Sequence, residues 1–497
     1  MARSRSLRRN AVLDQPEDGL HLISTADAEP RSAGVLERAL GPAAAAAIVL
    51  GTMVGTGIFL KPGEVAQNAG SFTVMAAAWV AAGILSLFGG LCYAELGASL
   101  PEAGGEYAYL RRAFGPRTGF LFGWTHSTVA RPASVAAIAA GFMRFVGFFV
   151  PSLSAPVFSM HLPWRFGVLA LSRGQTWALV ALTAVTGINY LGVRLGGRVQ
   201  VVLTAIKVGA LLTVLGSVFL LLHHPHLRSN VQPFWPHSPS WGTLEGFLTA
   251  MAAAAWAYDG WNDLNLVGSE VENPRTNFPR IIIRGVLFVI AVFLLFNFAC
   301  FWVLPYGRVA ASQQITSEVF EIVAGHRAAL WITGIMAVSV LATLNSSILS
   351  GARVDYAMAR DGVFFRCAAA VHPRFRTPGN ALWLQCAIAG VLVLSGSFED
   401  LTSLVMFANW GFYATAVLAM MRLRQSEPAL ERPYRTWGYP VTPILFVIGG
   451  FSLSISLWIA RPVRSTIGAA VILSGLFFYR LWTRDAEDGS LSSEPLR

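Results

Sequence analysis

Long runs of apolar residues recur along almost the whole chain, parted by short polar links, and none of them alternates with the period of two that marks a strand. They predict helices. A bilayer core about 30 Å thick takes roughly 20 such residues per helix. By that measure twelve helices are expected, near 42–67, 72–98, 115–150, 174–192, 197–222, 242–267, 279–304, 328–357, 380–396, 400–421, 439–459 and 464–483. The fold class is all-α integral membrane, because lipid offers backbone N–H and C=O groups no partners and only helices or closed barrels satisfy their own. One transmembrane domain spans 41–485, between an N-terminal tail at 1–40 and a C-terminal tail at 486–497.

Two of these runs are interrupted in a way that a plain anchor would avoid. The first holds Gly51-Thr52-Met53-Val54-Gly55-Thr56-Gly57-Ile58-Phe59, then Lys61-Pro62-Gly63; the sixth holds Trp256-Ala257-Tyr258-Asp259-Gly260-Trp261-Asn262 and ends at Gly268-Ser269-Glu270. Runs one and six are corresponding members of two five-helix halves, about 41–225 and 240–425, with two extra helices behind them. A break at the same place in each half points to a 5+5 inverted repeat whose ligand site lies at the midplane.

Unwinding a helix inside a membrane strands backbone groups, at several kcal/mol each unless something pairs with them. A zwitterion supplies that pairing. Its carboxylate is expected on the N–H groups near Thr56 and Gly57, at the positive end of the following half-helix, and its ammonium on freed carbonyls near Met53, Trp256 and Asp259. The candidate substrate-binding residues are Met53, Val54, Gly55, Thr56, Gly57, Trp256, Ala257, Asp259 and Asn262. The competing reading of Gly55 and Gly57 is close helix packing, which small residues serve in many membrane bundles.

Composition agrees with a membrane solvent. Of 497 residues, 54% are hydrophobic and 13% charged, with a mean hydropathy of +0.54. The net charge of +10 comes mostly from Arg in segments that lie inside when both termini are cytoplasmic, so it sets topology in a cell inner membrane and implies no nucleic-acid partner. Arg3, Arg5, Arg8 and Arg9 have no apolar core directly behind them, so the tail reads as cytoplasmic and disordered rather than as a secretory signal. The four cysteines, Cys92, Cys300, Cys367 and Cys386, lack metal-ligand spacing, and none lies in the external 151–173 loop. His223-His224-Pro225-His226 reads as surface loop rather than metal tract. With no His-Glu-x-x-His, phosphate loop or nucleophile elbow, enzyme chemistry, cofactors and metals are not expected.

The ordered set of Gly55-Thr56-Gly57-Ile58-Phe59, Tyr107-Ala108-Tyr109-Leu110 with Ala113-Phe114-Gly115, Arg131-Pro132, the sixth-run signature, Glu270 to Pro274, Asn345-Ser346-Ser347 with Tyr356 to Gly362, and Arg432-Pro433-Tyr434-Arg435 ahead of Gly438-Tyr439-Pro440 resembles the amino acid, polyamine and organocation (APC) superfamily, most closely its L-type amino acid transporter (LAT) branch. The resemblance implies a LeuT-type fold, alternating access and sodium-independent exchange of one amino acid for another. It implies an aromatic gate over the substrate at Trp256. Eukaryotic members bond to a heavy subunit through a cysteine between spans three and four; this chain has none there, so a bacterial protein without a disulfide-linked heavy subunit is expected.

Lys207 is one of only two lysines, set in Thr204-Ala205-Ile206-Lys207-Val208-Gly209, where a charge in the membrane is costly and usually functional. The resemblance implies that it stands where sodium-driven cousins hold a sodium ion, touching the break in span one and polar groups of span eight, with Asn345 and Ser347 as candidates. The alternative is that it snorkels to the headgroups. Asp259 either favours cationic side chains by charge pairing or accepts hydrogen bonds from the broken helix. Asn262 is expected to bond substrate, Arg131 to be structural or solvent-facing. The function expected is a sodium-independent exchanger of neutral L-amino acids, extended to cationic ones on the charge-pairing reading of Asp259; the alternatives are a proton-coupled symporter and, in another class, a non-transporting amino acid sensor.

Overall fold

The computed structural model describes residues 36–161, 168–222, 226–236, 240–395 and 398–491. The expected N-terminal tail as far as residue 35, His223, His224 and Pro225 of the histidine run, and residues 492–497 lie outside the described residues.

Nineteen α-helices follow one another among the described residues. They are α1 (Pro42–Met53), α2 (Thr56–Ala69), α3 (Phe72–Ser99), α4 (Glu106–Phe114), α5 (Pro116–Thr125), α6 (Arg131–Phe149), α7 (Arg173–Tyr190), α8 (Val193–Leu221), α9 (Leu227–Asn230), α10 (Trp241–Tyr258) and α11 (Asp263–Leu266). Then come α12 (Pro274–Val303), α13 (Tyr306–Ala311), α14 (Ile315–Ala324), α15 (His326–Arg360), α16 (Gly379–Ser395), α17 (Phe398–Ser426), α18 (Val441–Ala460) and α19 (Pro462–Leu491). A π-helical turn, His126–Ala130, joins α5 to α6.

Helices fill most of each expected stretch among the described residues. Among the described residues, eight are long and apolar enough to cross a membrane, counting α1 with α2 and α5 with α6 as single runs. The chain is thus a multi-pass membrane protein. The other four expected spans are α7, α10, α16 and α17. Local chemistry sets many of the ends. Pro42, Pro116 and Pro274 stand in first turns, where a missing N–H costs nothing, and Ser172 and Ser240 cap α7 and α10 through capping boxes.

The expected external loop at 151–173 contains more structure than a loop. Pro156–His161 pairs antiparallel with Val168–Ser172. Reading for 20-residue apolar runs passes over such short strands.

At the centre, α1 packs on α8, α12 and α15, while α2 packs on α10, and α10 on α3. The interrupted helices are therefore inside the bundle, held by helices on every side. Trp261, just past the second interruption, sits edge-on to Tyr93 at 4.8 Å, to Tyr413 at 5.5 Å and to Phe446 at 5.9 Å. This aromatic cluster anchors the break to α3, α17 and α18.

Candidate functional site

α1 stops at Met53 and α2 starts at Thr56; between them Val54 (φ −81°, ψ 81°) and Gly55 (φ −139°, ψ −142°) leave the helical region. The N-cap of α2 is Gly55, which has no side chain to offer, so the first N–H groups of a 14-residue helix open toward the interior. The carbonyls released on the other side are taken by Lys207. Its Nζ donates to Gly51 O at 2.7 Å, Val54 O at 2.6 Å and Thr343 Oγ1 at 3.1 Å, and the residue is 1% exposed. Snorkelling is excluded by that burial.

The expected partners of this lysine need correcting. Asn345 Nδ2 donates to Gln200 Oε1 at 2.8 Å, and its Oδ1 accepts from Asn189, so it faces α7 and α8. Ser347 Oγ is buried on the cavity wall, with no hydrogen-bond partner among the described residues. Helical spacing explains both: 343 and 347 lie four apart on one stripe, whereas 345 points to another face. Thr343 on that stripe is the signal the sequence offered.

The second break runs from Asp259 (φ −66°, ψ 149°) through Gly260 (φ +110°), after which α11 lasts a single turn. Its φ favours glycine, and space demands one as well: a Cβ there would lie 2.5 Å from Thr52 Cγ2. Reciprocally, a Cβ on Gly57 would land on the backbone of Ala257. The two breaks thus lock into each other, each glycine making room for the other helix.

Together they wall a cavity with about 30 Å³ of free space, whose lining includes Met53, Thr56, Gly57, Trp256, Asp259 and Asn262. Val54, Gly55 and Ala257 do not line it. Val54 gives its carbonyl to Lys207, Gly55 abuts Thr343, and Ala257 backs onto Gly57, so these three shape the breaks. Trp256 lines both this cavity and a vestibule of about 430 Å³ along α2 and α10, whose wall holds Lys61, Glu64, Arg144 and Arg461.

Around the second break the polar groups are dense. Asp259 Oδ1 accepts from Tyr413 OH at 3.1 Å, and Asn262 Nδ2 donates to Glu106 Oε1 at 2.6 Å. Asn262 Oδ1, Glu106 Oε2 and His126 Nε2 are buried on the cavity wall, with no hydrogen-bond partner among the described residues. Of the two expectations for Arg131, the solvent-facing one fails. The residue is buried on the cavity wall, its Nη2 donating to Asp263 Oδ1 at 2.6 Å and Nη1 to Asp263 Oδ2 at 3.2 Å. Sequence reading missed Glu106, His126, Asp263 and Tyr413. The sole local signal was Asp263, four residues beyond Asp259.

Past α11 a buried ion pair closes the chain against α15. Arg353 Nε donates to Glu270 Oε1 at 2.7 Å and Nη2 to Oε2 at 3.0 Å, both side chains essentially unexposed. Leu40 N donates to Glu270 O at 2.9 Å and Glu272 N to Leu40 O at 3.0 Å, pinning the segment before α1 here. The vestibule lies along α10 before its break and along α2 after its own. This closure lies beyond the opposite ends of both interruptions.

Residues 40–479 match the family model described as amino acid permease. The chain belongs to the amino acid permease family. This permease is a transporter and not an enzyme. It is 31% identical over 460 residues to the b(0,+)-type amino acid transporter 1 of Homo sapiens, covering 91% of this chain and 89% of that protein. It is 31% identical over 485 residues to the large neutral amino acids transporter small subunit 2 of Rattus norvegicus, with 95% and 86% covered. Against the Asc-type amino acid transporter 1 of Mus musculus, identity is 29% over 456 residues, with 90% and 82% covered.

Proposed function

We propose that this permease is a sodium-independent exchanger of L-amino acids, neutral and cationic, of the L-type branch. In this reading its twelve spans form a LeuT-type 5+5 inverted repeat that works by alternating access. Both termini are cytoplasmic, the membrane is the cell's inner one, and the chain works without a disulfide-linked heavy subunit.

The observation that carries the reading is the meeting of two interrupted helices of unlike character. The uncapped start of α2 at Thr56 and Gly57 is a site for a carboxylate, while the acid-lined second break suits an ammonium and a cationic side chain. Lys207 supports sodium independence: its ammonium sits among two carbonyls and a hydroxyl, the oxygen set that a sodium ion would otherwise need. Trp256, between vestibule and cavity, is the gate on the outer side. The Glu270–Arg353 closure is the inner one. Substrate bridging the two breaks favours the occluded state by its differential contacts, and the bundle then opens on the other face.

Uptake of labelled alanine, leucine and arginine into sodium-free proteoliposomes, with and without internal unlabelled amino acid, tests this. Exchange predicts uptake that needs internal amino acid and ignores sodium. Uptake into empty vesicles driven by a proton gradient would replace the exchanger with a symporter.

A further inference from the structure

The cavity wall carries three acids, Glu106, Asp259 and Asp263, against one arginine, Arg131, with His126 beside them. Their partners divide them sharply. Asp259 and Glu106 each accept from a neutral donor, Tyr413 OH and the Asn262 amide, so neither is neutralised by a contacting cation. Asp263 is different. Both of its oxygens are engaged by the Arg131 guanidinium, and Ser350 Oγ donates to Oδ2 at 3.0 Å. A bidentate carboxylate is the arrangement that most fully occupies a guanidinium. Arg131 therefore faces the substrate space with its charge already answered.

Removing the Asp263 charge would leave that guanidinium buried on the wall with no carboxylate hydrogen-bonded to it. Such a group draws in an anion, because a lone charge away from water is strongly disfavoured. The remaining wall would then hold two acids and one unmasked base, close enough for a carboxylate side chain to be accommodated where a cationic one had been.

We infer that Asp263 is a specificity-determining residue: by masking Arg131 it denies an acidic side chain any counter-charge in the cavity, so that cationic and neutral side chains are admitted and acidic ones rejected. This rests on the exchange reading above. Its role is to keep the Arg131 guanidinium occupied, and it acts through Arg131 rather than by touching substrate.

The test uses the full chain in sodium-free proteoliposomes loaded with leucine, measuring labelled leucine counterflow with lysine or glutamate as competitor. In wild type lysine competes and glutamate does not. Asp263→Asn is expected to weaken lysine competition about tenfold and to make glutamate a competitor. Arg131→Gln with Asp263→Asn removes both charges and restores the wild-type ranking. Arg131→Gln alone strengthens lysine severalfold and still excludes glutamate, which decides the matter even if Asp263→Asn does not fold. A merely structural pair predicts parallel losses for all three amino acids, and glutamate that still fails to compete in Asp263→Asn, or lysine competition that does not strengthen in Arg131→Gln, overturns the inference. Absence of any counterflow in wild type would instead overturn the exchange reading itself.

Discussion

The two helix breaks meet the same backbone problem with opposite charges. At the first, the chain through the ends of α1 and α2 has no ionisable residue from Gly51 to Leu60, and a lysine reaches in from α8 to take its carbonyls. At the second, the chain brings its own carboxylates, Asp259 and Asp263, and recruits Tyr413 and Arg131 to meet them. The first break is thus a fixed frame, closed from behind by a cation that never needs to leave. The second is a lined surface whose charges can respond to what binds. On the proposed reading, the substrate carboxylate belongs to the frame, and its ammonium and side chain to the lined surface.

The largest effect expected from breaking that contrast is at Lys207. Lys207→Met removes three donors at once and leaves the carbonyls of Gly51 and Val54 buried without a cation, at about 1–3 kcal/mol for each lost partner. Uptake of every amino acid should fall at least about a hundredfold, with a lower melting temperature in detergent. Lys207→Arg should not rescue it, because a planar fork cannot place one nitrogen between two carbonyls and a hydroxyl. Loss confined to cationic substrates would break the comparison outright.

Next come the interlocking glycines. Gly57→Ala drives a methyl into the Ala257 backbone, and Gly260→Ala meets Thr52 at a φ of +110°, where L-residues are strained. Both should lower uptake of all substrates more than about tenfold. Thr52→Ala is expected to recover part of the Gly260→Ala loss and none of the Gly57→Ala loss, since Thr52 Cγ2 is the atom in the way only at Gly260. Counterflow of leucine in the single and double variants reads this directly.

Much of the frame was legible in the sequence, and most of the lining was not. Apolar length announced the helical stretches, and glycines among polar residues announced both interruptions. The family resemblance implied that Lys207, one of only two lysines, stands beside the first break, although its side-chain partner proved to be Thr343 rather than Asn345 or Ser347. The lining escaped because it is assembled across the bundle. Arg131 and Asp263 are 132 positions apart, Asn262 and Glu106 are 156, and Asp259 and Tyr413 are 154. Local pattern carries backbone interruptions, which are made by neighbours in sequence; it carries no information on which distant helix supplies a counter-charge. For the same reason Ala257 looked like a ligand residue, when its place is against Gly57.

The smallest expected effect is also the sharpest on the second break. Tyr413→Phe deletes the hydroxyl that donates to Asp259 Oδ1, at 3.1 Å, while keeping the ring that packs on Trp261 and Tyr93. The lost hydrogen bond is worth about 1 kcal/mol. Leucine uptake should therefore hold within about threefold. The freed carboxylate oxygen is then available to a cationic side chain, so the lysine-to-leucine ratio should rise severalfold, whereas Asp259→Asn should lower it about tenfold. Opposite movement of one ratio in two variants that differ by a hydroxyl and a charge would establish that the second break reads side chains. If both variants lowered lysine and leucine uptake together, Asp259 would belong to the frame, and the division of labour between the breaks would fail.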